Sequence, residues 1–469
     1  MKTFYSKNGY LIYKEKLSKS EDKLIKNQLN VTPINTFDTF AENESFEIYK
    51  ESSSRYRIPR YFGLKHFGIP EKIAKYNHVS IEVDFEGTLN KHTKQDISVQ
   101  KALETFYALP DFGGGGILNL PPGYGKTTVS LYILCQLKVK TLIIVHKEFL
   151  MNQWNDRIQK FIPNASVGSI RGSKIDIQGK DIVLCMLQSL SMKEYDQEIF
   201  SSFGFTIIDE THHICSKVFS RAFFKFQTKY MLGLSGTPYR KDGLTKVIEW
   251  FIGPIFYSIV RENQNNVFYK VVKFNDESYK DPLPMNSVGK VSIVNVITNI
   301  LNIESRDMVI LEELGHLVNQ GRNVMILSER RNHCINLNKM INERYSNISA
   351  LYMGGMKKAE LEESELAQVL VATYSLAHEG LDIPKLDSLI FASPKTDVVQ
   401  ACGRIMRETH GKKHEPYIID IVDNIALLMN QHRKRKSFYK SSGFNQENKE
   451  KTCTTCVEVE QNYAFIDEE

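Results

Sequence analysis

The 469 residues exceed what one hydrophobic core ordinarily organises, so two or three domains are expected. With 42% hydrophobic and 25% charged residues, the chain has apolar material for normal cores, which excludes a largely disordered protein. A formal net charge of +5 permits a polyanionic partner without demanding one, and no apolar run is long enough for a secretion signal or a membrane span.

Residues 1–92 are polar and rich in Lys, Tyr and Phe, with short alternating runs such as 79–85, which predicts strands rather than long helices in a small accessory domain. Arg55, Arg57, Arg60 and Lys65 stand there among aromatic residues, a composition that suits a DNA-contacting surface or the charged rim of an ordinary domain. From residue 93 the pattern changes to short apolar runs followed by amphipathic stretches, the βα alternation of a parallel sheet. The glycine run 113–116 predicts a flexible loop ahead of the first strand. ILNLP, TLIIVH, DIVLCM, FTIIDE and YMLGLS are the strand candidates of an α/β domain over 93–258.

A polar, Asn-rich stretch follows, taken as a linker over 259–300. NVMILSE, SALYMG, QVLVATY, SLIFAS and PYIID repeat the strand pattern in a second α/β domain over 301–440, entered by a helix over 305–320. Residues 441–469 form a C-terminal tail. Cys135 and Cys185 lie in apolar runs, as buried thiols in a reducing, cytoplasmic setting would. Cys453 and Cys456 form a lone CxxC, and a structural zinc site normally needs four ligands.

Two segments carry chemistry. Leu120-Pro-Pro-Gly-Tyr-Gly-Lys-Thr-Thr128 lies between an apolar strand and a helix-like run. Backbone N–H groups of such a loop, with the helix N-terminus, cradle nucleotide phosphates. Gly123 and Gly125 would shape it, Lys126 would meet the phosphate oxygens, and the Thr127 hydroxyl, followed by Thr128, would bind Mg²⁺. Leu120 stands where the usual pattern opens with Gly or Ala. FTIIDETHH places Asp209 and Glu210 at the C-terminal end of a buried strand, where a parallel sheet holds its ligands. Asp209 would hold Mg²⁺ and Glu210 would orient or deprotonate water, with His212 able to link the site to neighbouring elements.

LPPGYGKT, TLIIVHKEFLMNQW, DIVLCMLQSL, DETHH, LSGTPYR, NVMILSE, ATYSLAHEGLDIP and QACGRIMR, in this order, resemble the motifs of superfamily 2 helicases with a DExH box. The likeness is greatest to phage branch-migration and annealing helicases and the poxvirus transcript-release helicase. It implies two tandem RecA-like parallel-sheet domains with ATP and Mg²⁺ as cofactors, preceded by the accessory domain. It implies that Gln100 reads the adenine edge, and that Ser235 and Thr237 couple hydrolysis to movement, with Gly236 in place of the usual alanine. Gln400, Arg404 and Arg407 would act on the γ-phosphoryl group, Gly380 and Asp382 would sense nucleotide, and Ser328 and Thr373 would touch the nucleic-acid backbone. Gln153 and Trp154 are expected to be structural, Trp154 in the core. The basic run His432-Arg-Lys-Arg-Lys436, followed by Phe438 and Tyr439, adds Arg433 and Lys434 as candidate phosphate contacts with aromatic neighbours for bases. The reading is an ATP-dependent helicase or translocase that remodels branched or partly duplex DNA, active as a monomer. RNA is the rival track, and the motor subunit of a restriction-type complex a further alternative.

Overall fold

A computed structural model describes residues 1–34, 44–211, 219–236, 242–259, 266–287, 289–379, 383–406 and 412–447. The chain divides into two compact units, Met1–Val260 and Arg261–Glu469.

The first unit carries two sheets. Its N-terminal sheet runs, from one edge to the other, Lys50–Glu51, Arg55–Ile58, Gly9–Tyr13, Thr3–Ser6 and Lys72–Ile73. All neighbours are antiparallel except the last pair. The helix Lys19–Gln28 beside it starts at a Ser18–Glu21 capping box, which satisfies two otherwise orphaned N–H groups. Residues 79–85 do not form the expected strand. They run extended, with one isolated bridge from Ser80 to Val139, because the segment crosses strand ends instead of lying along one.

The second sheet of this unit follows the order Lys174–Asp176, Val167–Arg171, Ile182–Met186, Thr141–Val145, Phe205–Ile208, Tyr230–Ser235, Gly114–Asn119 and Ile255–Ser258. Every pairing but the first is parallel. The central strands are continuous apolar runs buried on both faces, which is why they read as runs and not as alternation. Chain order reverses around the central strands, so the loops after Asn119, Ile208 and Ser235 open at one sheet edge.

The glycine run is a correction. Gly114–Gly116 belong to the strand Gly114–Asn119 and are buried. A Cβ on Gly114 would meet Thr105 O at 2.4 Å, and one on Gly115 would meet Ile252 O at 2.5 Å. Close backbone approach from both sides excludes a side chain there.

Arg60 is a second correction. It is 2% exposed, so it cannot serve as a DNA contact. Its Nη1 donates to the Thr228 and Lys229 carbonyls at 3.2 Å each, its Nη2 donates to the Phe112 carbonyl, and its Cζ lies 4.4 Å from the Phe112 ring centroid. The guanidinium fastens the N-terminal sheet to the end of the α/β sheet, helped by Tyr76, whose hydroxyl donates to the same Phe112 carbonyl at 2.7 Å. One apolar core runs through both layers, joining Tyr5, Tyr10 and Phe62 to Ile117, Ile144 and Phe251.

The second unit is an all-parallel sheet in the order Ser349–Tyr352, Val369–Thr373, Val324–Ser328, Ser388–Phe391, Tyr417–Asp423, Phe268–Phe274 and Asn445–Gln446. The segment expected as linker supplies the strand Phe268–Phe274, paired along its whole length with Tyr417–Asp423. The segment expected as tail supplies Asn445–Gln446. Both hide from a pattern search because Lys270 and Lys273 interrupt the first and the second is two residues long. Lys270 is neutralised by Glu313 at 2.7 Å. The predicted entry helix spans Glu304–Asn319. Each unit contains one RecA-like, predominantly parallel sheet flanked by helices.

Candidate nucleotide site

In the first unit the strand Gly114–Asn119 delivers the chain into the loop 120–125, and the helix Lys126–Leu137 leaves it. Gly123 and Gly125 hold φ of +88° and +76°, a backbone shape that side-chain-bearing residues resist. A Cβ on Gly125 would lie 2.3 Å from Gln95 Nε2. Lys126 Nζ donates to the Leu120 carbonyl at 3.0 Å, folding the ammonium back over the loop. Thr127 and Thr128 begin the helix beside it, half-buried.

The glutamine at this loop is Gln95. It is 7% exposed, its Nε2 donates to Tyr124 O at 3.1 Å, and its Oε1 accepts from the Asn90 N–H at 2.8 Å. Gln100 lies on the exposed side of the helix Gln95–Tyr107, donating to Glu104 Oε1 at 2.8 Å. Five residues along a helix are about one and a half turns, which turns Gln100 away from the loop that Gln95 faces. The signal available in the sequence was position: Gln95 opens the helix, and Gln100 sits within it.

Asp209 and Glu210 follow the strand Phe205–Ile208. Asp209 N–H donates to Ile144 O at 3.0 Å, and the carboxylate accepts from the Glu210 N–H at 3.0 Å and from the Trp154 indole Nε1–H at 2.9 Å. Burial pushes the Asp209 carboxyl up, Glu210 adds to the rise, and Trp154, Lys126 and His146 pull the other way. A perturbed acid with named charge partners at the open edge of a parallel sheet marks a functional site. Glu210 sits at φ +48°, in the left-handed region. Trp154 is 2% exposed, as expected of a core residue, yet its indole N–H is spent on the acid. His146, 6% exposed, follows the strand Thr141–Val145; burial and Lys147 depress its pKa while Asp209 and Glu210 oppose that shift.

Between loop and acids lies the end of Tyr230–Ser235. Ser235 is buried and its carbonyl accepts from Leu120 N–H at 3.1 Å. A methyl on Gly236 would stand 3.4 Å from Lys126 Nζ, so the loop lysine lies beside this turn. His212 and Thr237 lie outside the described residues.

In the second unit Ser328 and Thr373 end adjacent strands in register. Ser328 is 0% exposed, with its Oγ 2.8 Å from His333 Nδ1, whose Nε2 lies 2.8 Å from Asp307 Oδ1. That hydroxyl is committed inside the domain, which corrects its expected role as a backbone-phosphate ligand. Thr373 is 7% exposed, with its hydroxyl 3.1 Å from that of Ser375.

The basic run divides by helix geometry. On the helix Ala426–Ser441, Arg433, Lys434 and Lys436 are exposed, Arg433 donating to Asn430 Oδ1 at 2.9 Å. Arg435 and His432 turn inward onto Asp420, at 2.8 Å and 3.2 Å. Burial alone would raise the Asp420 carboxyl, but Arg435 and His432 hold it below the ordinary carboxylate range. Tyr439 is buried on the same carboxylate at 3.1 Å, which corrects its expected place as a base-stacking ring.

Gln400 and Arg404 ride on the helix Val399–Ile405; Arg404 is 7% exposed and close enough to Tyr352 to oppose the burial-driven rise of its pKa. Arg407, Gly380, Asp382, Cys453 and Cys456 lie outside the described residues. Among the described residues no cluster of three or more His, Cys, Asp or Glu is placed to hold a metal, and no helix is long and apolar enough to cross a membrane.

Residues 89–240 match the family model of the type III restriction enzyme res subunit, and residues 305–409 match that of the helicase conserved C-terminal domain. The chain is 34% identical over 461 residues to L396 of Acanthamoeba polyphaga mimivirus, provisionally named an ATP-dependent RNA helicase, covering 95% of this chain and 86% of that protein. It is 27% identical over 338 residues to the helicase-named D10 of Escherichia phage T5, covering 70% and 72%. Among solved structures, Dbp5 of S. cerevisiae bound to RNA and ADP BeF3 aligns with a TM-score of 0.52 at 12% identity, over 74% of this chain and 88% of that one. At that identity the likeness speaks for the fold alone.

Proposed function

The chain belongs to the viral superfamily 2 helicases, and from that premise we propose that it is an ATP-driven motor that remodels branched or partly duplex DNA. The observation that carries the ATPase is the convergence at one sheet edge of the Gly123–Gly125 loop, Lys126 and the Asp209–Glu210 pair. Lys126 neutralises phosphate oxygens, and Glu210 takes the proton of the attacking water or aligns it. The donor set suits Mg²⁺: Asp209 offers a carboxylate oriented by Trp154, and Thr127 a hydroxyl at the head of the helix. When bound, the ion would supply positive charge to the phosphate oxygens. Gln95 buttresses the loop at Tyr124 O and is our candidate for the adenine contact. Ser235 and Thr237 are proposed to couple hydrolysis to movement, with Gly380 and Asp382 sensing the nucleotide. Gln400, Arg404 and Arg407 are proposed to act on the γ-phosphoryl group. Thr373, Arg433 and Lys434 are proposed to meet the track, and the motor to act as a monomer in the host cytoplasm.

RNA is the second reading, favoured by the name of the mimivirus relative, an RNA helicase. ATPase stimulation and unwinding on single strands, forks, four-way junctions and RNA duplexes separate the two. DNA remodelling requires greater stimulation and product from forked or four-way DNA than from RNA duplexes, and the reverse order overturns it.

The bond from Trp154 yields a prediction of its own. Trp154→Phe keeps a ring in the core and removes the N–H that orients Asp209. Losing such a partner of a metal-holding group typically costs about 10–100-fold in metal affinity or activity. The Mg²⁺ concentration for half-maximal ATPase should therefore rise by about tenfold or more, with little change in ATP KM at saturating Mg²⁺. An unchanged Mg²⁺ titration would reduce Trp154 to a packing residue.

A further inference from the structure

Where the N-terminal sheet meets the first α/β layer, cations gather around the Phe224 ring. Lys50 and Arg57 are directly opposite in the antiparallel pair of Lys50–Glu51 with Arg55–Ile58. Like charges so placed weaken a sheet. Both lie over Phe224, with Lys50 Nζ 5.7 Å and Arg57 Cζ 5.4 Å from the ring centroid. Arg221 and Lys225 flank the same ring in sequence, Arg221 within the short helical turn Phe219–Phe224. Partial burial of its ammonium lowers the Lys50 pKa, and Arg57, Lys225 and Arg221 press it further down against the pull of Glu194.

Arg57 is the least compensated member. Its Nε and Nη2 are buried and have no hydrogen-bond partner among the described residues, and burial pulls its guanidinium down to about 10. Lys225 is served separately, by the Lys193 carbonyl and by Glu194 at 3.3 Å, a carboxylate that is itself 94% exposed. Keeping a poorly solvated guanidinium beside a like charge is costly unless an anion joins them.

We propose that Lys50, Arg57 and Arg221 form a binding site for a phosphate of a nucleic-acid strand, with the Phe224 ring as its floor. The proposal rests on the motor reading above and deepens it by placing a track contact outside the motor motifs. A guanidinium fork and an ammonium suit a tetrahedral oxyanion. Lys50 and Arg221 are exposed, so the phosphate can belong to a polymer passing over the junction.

The test uses the full chain and leaves half-buried Arg57 alone. Wild type, Lys50→Glu, Arg221→Glu and the neutral pair Lys50→Met and Arg221→Gln are titrated with labelled forked DNA and duplex RNA across a salt series. Each charge lost should weaken binding whatever the base sequence and make the slope of log affinity against log salt shallower by about one. The neutral variants preserve packing, so they decide the matter if a charge reversal melts early. Unchanged affinity and slope, in a chain whose wild type binds, overturn the site. A wild type that binds neither polymer overturns the motor reading instead. Inorganic phosphate is the last arm: if it raises the wild-type Tm and not that of Arg221→Gln, while the polymer slopes stay equal, the site takes free phosphate and the strand contact is overturned.

Discussion

Glu210→Gln should bind ATP with Mg²⁺ and scarcely turn it over, whereas Lys126→Ala should lose productive binding as well. The two differ because they act on different parts of one cradle. Lys126 lies against the loop, its ammonium on Leu120 O, where phosphate oxygens would replace that carbonyl. Removing it strips charge from ground state and transition state alike, so KM rises along with the loss in rate. Glu210 stands after the strand Phe205–Ile208, beside Asp209 and held at φ +48°. Gln has the same length and the same backbone preferences, so the fold should survive, but an amide cannot accept the proton of the attacking water. General-base loss typically costs about 10²–10⁴-fold in rate. Equilibrium binding of a fluorescent ATP analogue, run beside phosphate release, separates the two effects. Turnover by Glu210→Gln within a few-fold of wild type would remove it as the water-activating group.

Much of this arrangement is legible in the sequence. The central strands are buried on both faces, so ILNL, TLIIV, IVLCM and FTII read as continuous apolar runs, and the loop and acid pair follow such runs directly. Three kinds of feature were not legible. Phe268–Phe274 hides because two lysines interrupt its apolar run, and the one that is half-buried, Lys270, is neutralised by a partner 43 residues away, on the helix Glu304–Asn319. The roles of Arg60 and Ser328 depend on what surrounds them: an arginine among aromatics reads the same whether it faces phosphate or three backbone carbonyls. The Trp154–Asp209 bond joins residues 55 apart and has no periodicity to betray it. Helix phase could have told Gln95 from Gln100, and Arg435 from Arg433, had the helix starts been fixed.

Arg404→Ala should leave ATP binding nearly intact while hydrolysis falls by about 10³–10⁵, the range for an arginine that meets the γ-phosphoryl group only as it transfers. The residue sits near the end of the helix Val399–Ile405, whose Ala401, Cys402 and Ile405 are buried and fix its direction. Arg404 is itself 7% exposed and acts on Tyr352, so truncation could act through packing as well as charge. Arg404→Lys distinguishes the two. It keeps the stem and the positive charge and loses only the planar fork that matches phosphate oxygens. If the fork does the work, Arg404→Lys should melt like wild type and still hydrolyse far more slowly, with analogue binding unchanged in both variants. If packing does the work, Arg404→Lys should restore Tm and rate together. Equal losses of binding and turnover in Arg404→Ala would place the contact in the ground state, and the γ-phosphoryl assignment would fall.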